Sequence, residues 1–192
     1  MTGTTTDIAA VHRSTLVATR RFIAGVDAGQ MDLATPCDGW TVRDLLNHIV
    51  AGNLWAAELA SGRTIDDVGA ALDGDVIGSD PVEAYDRSVA AAAAAFEAPG
   101  ALEAPCAVSY GPVPGSMYAG HRIIDVLIHG WDVAAATGQP TGLDPDLVEA
   151  CWDIVRPQLS MLQASGEFGA PAAGASSDES QQSLLAALGR TV

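Results

Sequence analysis

Asp125 and His129 stand four residues apart in the stretch Arg122-Ile123-Ile124-Asp125-Val126-Leu127-Ile128-His129-Gly130-Trp131-Asp132. The stretch reads as a helix that is apolar almost all the way round, and such a helix is normally buried. A buried carboxylate without a partner costs several kcal/mol or gives up its charge. On a helix, side chains at i and i+4 leave one face with Cβ atoms about 6 Å apart. Both can therefore reach one divalent ion at about 2 Å. His121 lies a turn earlier on the same face, and Asp132 follows His129 by three residues.

A third ligand must come from another element. His48, in the mostly apolar run Leu45-Leu46-Asn47-His48-Ile49-Val50, is the candidate, with Gly52 a turn later leaving space beside the imidazole. A set of His48, Asp125 and His129 keeps at least one coordination position open, as catalytic sites require. Spacing alone also admits plainer readings. An isolated DxxxH is most often a hydrogen-bonded pair. His48 alone reads as a histidine bonded to a backbone carbonyl. His121, beside Arg122 near the helix start, reads as solvent-facing. Asp132 reads as an acceptor behind a ligand or as a surface acid. Trp40 and Trp131 read as packing groups. Cys37 follows a proline just before a helix N-terminus, a setting that favours thiolate, though a structural thiol is the ordinary expectation. Gly-rich phosphate loops and a serine nucleophile elbow are absent from the sequence.

The elements that must carry these residues follow from periodicity and caps. Apolar residues at three- and four-residue intervals predict a first helix from Asp7 to about Asp27. A loop over 34–40 follows. Thr41-Val42-Arg43-Asp44 fits a relaxed capping box that opens a second helix running to about Ser61, with Gly62 as its stop. Residues 63–79 read as an irregular connection with weak helical content. Asp80-Pro81-Val82-Glu83 opens a third helix, through the alanine run to Ala98. Three prolines and short β-prone pieces make 102–115 a loop or short hairpin. The fourth helix, with Asp125 and His129, spans about Ser116–Thr137 and stops at Gly138. Asp144-Pro145 starts a fifth, which Pro157 ends or kinks. Residues 165–178 read as a flexible loop, and a short amphipathic helix covers about Glu179–Leu188. The expectation is an all-α protein: a four-helix bundle with short additional helices and a small loop or hairpin insertion, forming one domain over 1–192.

Composition agrees with helices. The chain of 192 residues is 48% hydrophobic but only 5% aromatic, and alanine is the best helix former and a poor strand former. The formal net charge is -15, and all nine basic residues are arginine. That balance argues against nucleic acid and anionic membrane surfaces as partners, since both need basic patches. Three widely spaced cysteines without a CxxC do not suggest a disulfide framework, and no signal peptide or 18-residue apolar run is evident, so a cytoplasmic protein is expected.

Two longer stretches carry a family resemblance. Thr35-Pro36-Cys37-Asp38-Gly39-Trp40-Thr41-Val42-Arg43-Asp44-Leu45-Leu46-Asn47-His48-Ile49-Val50 resembles the TPCxGWTVRDLLxHxV signature of actinobacterial metal-binding proteins related to the N-terminal domain of mycothiol-dependent maleylpyruvate isomerase. Asp125 to Asp132 resembles the matching (D/E)LLVHGWD segment, and Phe168-Gly169-Ala170-Pro171 and Leu184 to Arg190 have counterparts as well. The resemblance implies a DinB-like four-helix bundle in which His48, Asp125 and His129 hold a divalent metal. The isomerase pattern has Glu where this chain has Asp125, one methylene shorter, which brings the ion closer to the fourth helix or changes its geometry. Zinc is the first expectation from two imidazoles and a carboxylate; nickel, iron and manganese accept the same ligand types. A thiol cosubstrate of the mycothiol type would bind the open position as thiolate.

The implied function is a metal-dependent thiol transferase or isomerase acting on a small electrophile, whose partners are a small-molecule thiol and that electrophile. The alternatives are a non-catalytic metal-binding or regulatory bundle, and a structural bundle with a hydrogen-bonded acid–histidine pair. The isomerase has a further C-terminal domain that contributes to its active site, whereas this chain ends at Val192. Maleylpyruvate isomerisation itself is therefore not expected. Bundles of this type often pair, which adds a homodimer to the assemblies considered.

Overall fold

The structure, a computed structural model, describes residues 7–165, 172 and 180–191. The chain divides into two compact units, Met1–Pro140 and Thr141–Val192.

The first unit is built on four long helices. α1 (Ile8–Ala24) starts at Asp7, whose carboxylate accepts from the Ala10 amide, and ends at Gly25 rather than at Asp27. The next residues form a separate 3-10 turn, Ala28–Gln30. α2 (Val42–Ala60) starts at the expected box: Thr41 accepts from the Asp44 amide and Asp44 accepts in return from Thr41. A cap of this kind contributes about 1 kcal/mol and sets where the helix phase begins, hence which way His48 points. The irregular stretch that follows holds one short helix, α3 (Ile65–Val68), and a 3-10 turn. α4 (Pro81–Glu97) begins with proline at its first position behind the Asp80 cap.

The insertion is a hairpin, with β1 (Pro105–Val108) antiparallel to β2 (Gly111–Pro114) and Val108 opposite Gly111. Gly111, at φ 110°, turns the chain back where a side chain would be strained. α5 (Gly115–Thr137) ends at Gly138 in the left-handed region.

α2 packs against α4 and α5, and α1 packs against the same two helices. The architecture is thus the mostly helical one expected, with short extra helices and a small hairpin. α5 is buried along most of its length, from Tyr118 through Ala134, with solvent reaching few of its side chains. Each fully buried Leu or Ile there contributes roughly 1.5–3 kcal/mol. Gly130, next to His129, lets α1 pack close: a Cβ would stand 2.9 Å from Thr19 Cγ2 and 3.3 Å from the Phe22 ring.

The second unit holds α6 (Pro145–Val155), a 3-10 turn at Arg156–Gln158 that contains Pro157, α7 (Leu159–Ser165) and α8 (Gln181–Ala187). Pro157 thus ends α6, and a new helix starts after it. α6 and α8 pack together, and the Trp152 indole N–H donates to the Ser180 carbonyl at 3.3 Å. The 165–178 loop, apart from Ser165 and Ala172, lies outside the described residues, as do the Phe168–Pro171 motif and Glu179. No helix among the described residues is long and apolar enough to cross a membrane.

One core residue makes stability depend on pH. His12 is fully buried against the Phe96 ring, and neither ring nitrogen has a partner among the described residues. Burial pushes its pKa down to about 3, with Arg122 and Arg13 adding and Glu97 opposing. In the unfolded chain the imidazole titrates near 6.5. Between those values the unfolded chain binds more protons, so stability falls as pH falls. Wild type should lose about 2 kcal/mol more than His12→Leu between pH 7 and pH 5, by urea denaturation. Parallel pH curves would show that His12 is not the sensor.

Candidate metal centre

α2 and α5 bring the predicted ligands together. The His48 Nε2 lies 3.2 Å from Asp125 Oδ1, and the His129 Nε2 lies 3.5 Å from the same oxygen. One ligand atom from each of the three residues falls within 4.8 Å of the others. Two donors on a tetrahedral zinc at about 2.0–2.1 Å stand about 3.4 Å apart, so both separations are compatible with a shared ion, and the 3.2 Å one equally with a direct hydrogen bond.

The loop before α2 contributes more than packing. Within it Thr35 Oγ1 accepts from the Cys37 amide at 3.1 Å and donates to the Trp40 carbonyl at 3.0 Å. The Trp40 amide donates to the Cys37 carbonyl, and Gly39 takes φ 78°. The loop closes on a bridge between Ala34 and Thr41. So folded, it lays the Trp40 ring 4.9 Å from the His48 ring and stacks it at 6.1 Å on that of His129. Trp40 is a roof over both histidines and not only a loop-packing group. Trp131, by contrast, is buried as expected.

Behind His129 sits Asp132. It is fully buried rather than on the surface, and its Oδ2 is 2.9 Å from His129 Nδ1. The Cys37 thiol donates to the same oxygen at 3.4 Å, and Sγ lies 3.7 Å from Nδ1. These three residues form a second candidate ligand cluster, but Asp132 accepting from both neighbours accounts for its short distances. The contact to Asp132 suits the structural role expected of Cys37. The Asp132 contact assigns the imidazole proton to Nδ1, by hydrogen-bond logic. In the neutral ring His129 Nε2 then presents a lone pair toward Asp125 Oδ1, and in the protonated ring it donates to that oxygen. In the neutral form two acceptors stand 3.5 Å apart, a pair that can hold a cation between them. The donor set therefore fits a divalent metal.

Asp125 has another partner, which spacing did not bring forward. Arg122 is 7% exposed; its Nη1 donates to Asp125 Oδ2 at 2.9 Å and its Nη2 to Asn53 Oδ1 at 3.1 Å. Asn53 in turn donates to the Ser88 hydroxyl at 3.1 Å, joining α5, α2 and α4. Burial pushes the Asp125 carboxyl up, but the Arg122 guanidinium, with His129 and His48, holds it well below the usual carboxylate range. The space at Gly52 belongs to this arginine and not to the His48 imidazole. A Cβ there would stand 2.4–2.7 Å from the guanidinium. The signal for Arg122 was present in the sequence: a charge three residues before Asp125, on the same stripe of an otherwise apolar helix. His121 is also paired, its Nδ1 lying 2.6 Å from the Tyr110 hydroxyl.

Residues 12–134 match the family model described as the mycothiol maleylpyruvate isomerase N-terminal domain. The chain belongs to that family. It is 38% identical over 152 residues to the uncharacterized protein Rv0738 of Mycobacterium tuberculosis, covering 77% of this chain and 79% of the relative. The uncharacterized protein MT0763, from a second strain of that species, matches to the same extent. Among solved structures, the mycothiol-dependent maleylpyruvate isomerase aligns with TM-score 0.60 at 17% identity, over 81% of this chain and 68% of that one. A point mutant of that isomerase aligns with TM-score 0.61 at 15% identity, over 83% and 71%. At these identities the two structures show that the fold is shared.

Asp132 gives the centre a test that leaves its three ligand candidates untouched. Carboxylates behind a metal-bound imidazole are worth about 10–100-fold in affinity. Asp132→Asn should therefore weaken zinc binding by roughly that factor in a chelator competition. Unchanged affinity would remove Asp132 from the centre.

Proposed function

We propose that this protein binds one divalent metal, zinc first among the candidates, through His48, Asp125 and His129, and uses it with a mycothiol-type thiol as a transferase or isomerase on a small electrophile. The observation that carries the reading is the confrontation of His129 Nε2 and Asp125 Oδ1 at 3.5 Å, with Nδ1 already engaged by Asp132. Membership in a family described by a mycothiol-dependent isomerase supports the thiol. A metal bound there supplies the Lewis acidity that keeps a coordinated thiol deprotonated near neutral pH.

The chain's own residues set the terms. Arg122 occupies Oδ2 of Asp125 and leaves Oδ1 toward the histidines. Asp132 holds the His129 ring in the orientation that presents Nε2. Trp40 covers one side of the two imidazoles and limits water there. His48 is the most exposed of the three, at 36% of its side chain, so substrate approaches from its side.

One observation favours a metal-free structural bundle instead. Arg122 already balances the charge of Asp125, so the fold does not need the ion to bury that carboxylate. Metal analysis of purified protein, followed by a screen of mycothiol with electrophilic acceptors, separates the readings. The enzyme reading expects one metal per chain and thiol-dependent turnover that disappears in His48→Ala. Stoichiometric metal without turnover across the screen would leave the metal-binding module, and no metal would end both.

A further inference from the structure

A cavity of about 310 Å³ opens between α2, α5, the hairpin and α3. Trp55 and Leu59 line it from α2, Tyr118 from α5, Ile65 from α3, and the Val108–Tyr110 turn closes it from the hairpin. Its chemistry is one-sided. Three aromatic rings and three aliphatic side chains line it, and the polar side-chain groups are the hydroxyls of Ser109, Tyr110 and Tyr118 and the Trp55 indole N–H. The Tyr110 hydroxyl is bonded to His121. No lysine, arginine, aspartate or glutamate lines the space. A carboxylate placed there would lose its hydration with no cation to replace it, whereas a ring would gain stacking and apolar contact. The volume lies at the small end of ligand sites.

It lies about two helical turns along α2 and α5 from the metal centre, with the buried Arg122 between them. Contacts between α2 and α5 run in opposite chain directions: His48 meets Asp125, Gly52 and Asn53 meet Arg122, and Trp55 meets Tyr118 at the cavity. Trp55 is seven residues from His48, and Tyr118 is seven from Asp125. Seven residues make almost two full turns, so each pair shares a helix face, about 10 Å apart along the axis. The walls toward solvent are those that can adjust: the hairpin turn, where Tyr110 is 58% exposed, and the single-turn α3, where Ile65 is 38% exposed.

We infer that this cavity binds an uncharged aromatic or branched aliphatic arm of the substrate, whose reacting end lies about 10 Å away at the His48/Asp125/His129 centre. The inference rests on the proposed function for the reacting end, but the cavity binds its arm with or without the metal. The electrophile is accordingly a largely apolar molecule and not a small dicarboxylate.

The test uses 2-naphthol as probe and 2-naphthoate as its charged counterpart, titrated into the full chain by calorimetry. Wild type should bind 2-naphthol once per chain, with 2-naphthoate at least tenfold weaker. Ile65→Trp and Leu59→Phe, each checked for folding by circular dichroism, should weaken 2-naphthol at least tenfold by filling the cavity from two sides. His48→Ala should bind it within twofold of wild type, so a failure of the metal reading leaves this result standing. A second probe, a thiol joined to a naphthyl ring by a chain spanning about 10 Å, tests the link. It should bind zinc-loaded wild type at least tenfold tighter than it binds His48→Ala. Absence of saturable 2-naphthol binding, wild-type binding in both filled variants, or equal affinity for 2-naphthoate would overturn the cavity assignment. Equal binding of the linked probe to zinc-loaded wild type and His48→Ala would overturn its connection to the centre.

Discussion

His48→Ala should leave the purified protein with less than about a tenth of the metal that wild type carries. Losing a group behind a ligand costs about 10–100-fold in affinity, and losing a ligand itself costs more. Of the three candidates His48 is the cleanest to remove. It is partly exposed and comes from α2, while Asp125 and His129 share α5. Its removal leaves Arg122 still paired to Asp125 and Asp132 still paired to His129. The fold should therefore survive, and a changed metal content reads the centre rather than the scaffold. Plasma emission spectroscopy on protein grown in zinc-supplemented medium gives the measurement. Equal metal in wild type and variant would sink the three-residue assignment, and with it the thiol chemistry proposed above.

Arg122→Met should be the most destabilising single change in the centre. It strands the Asp125 carboxylate in a site 18% exposed and leaves Asn53 Oδ1 without its donor. Removing one partner of a buried pair costs about 3–5 kcal/mol. The two histidines beside Asp125 place the loss near the lower end, and in a chain of this size about 3 kcal/mol corresponds to a Tm lower by roughly 6–12 °C. Zinc should restore part of it, because an ion that binds the folded state stabilises by mass action and here also takes over the missing charge. The Tm gain on adding zinc should thus be larger in Arg122→Met than in wild type. A variant melting within about 2 °C of wild type would mean that Arg122 contributes little beyond what the histidines supply.

Much of the fold was legible because the signals are local. The Thr41/Asp44 box, proline behind Asp80 and Gly138 after Thr137 mark helix ends within a residue or two of where they lie, which is the usual scatter of such boundaries. The first helix ran shorter than its periodicity because Gly25 stops it at Ala24 and the chain continues as a 3-10 turn. His121, read as solvent-facing, is half-buried, and its exposed contact is with Tyr110 on a hairpin turn whose direction no local pattern states.

The sequence by itself determined that Asp125 and His129 share a helix face and that the rest of the helix is apolar, since a helix's own geometry settles both. It also determined the phase of α2 through its cap. Only the tertiary structure decided what surrounds them. The assignment of the Gly52 space to Arg122, the burial of Asp132 behind His129 and the placing of Trp40 over both histidines all depend on contacts between elements far apart in the chain. The physical reason is that spacing fixes direction along one helix, while burial and partner are properties of the gap between helices, which closes only when the whole unit packs.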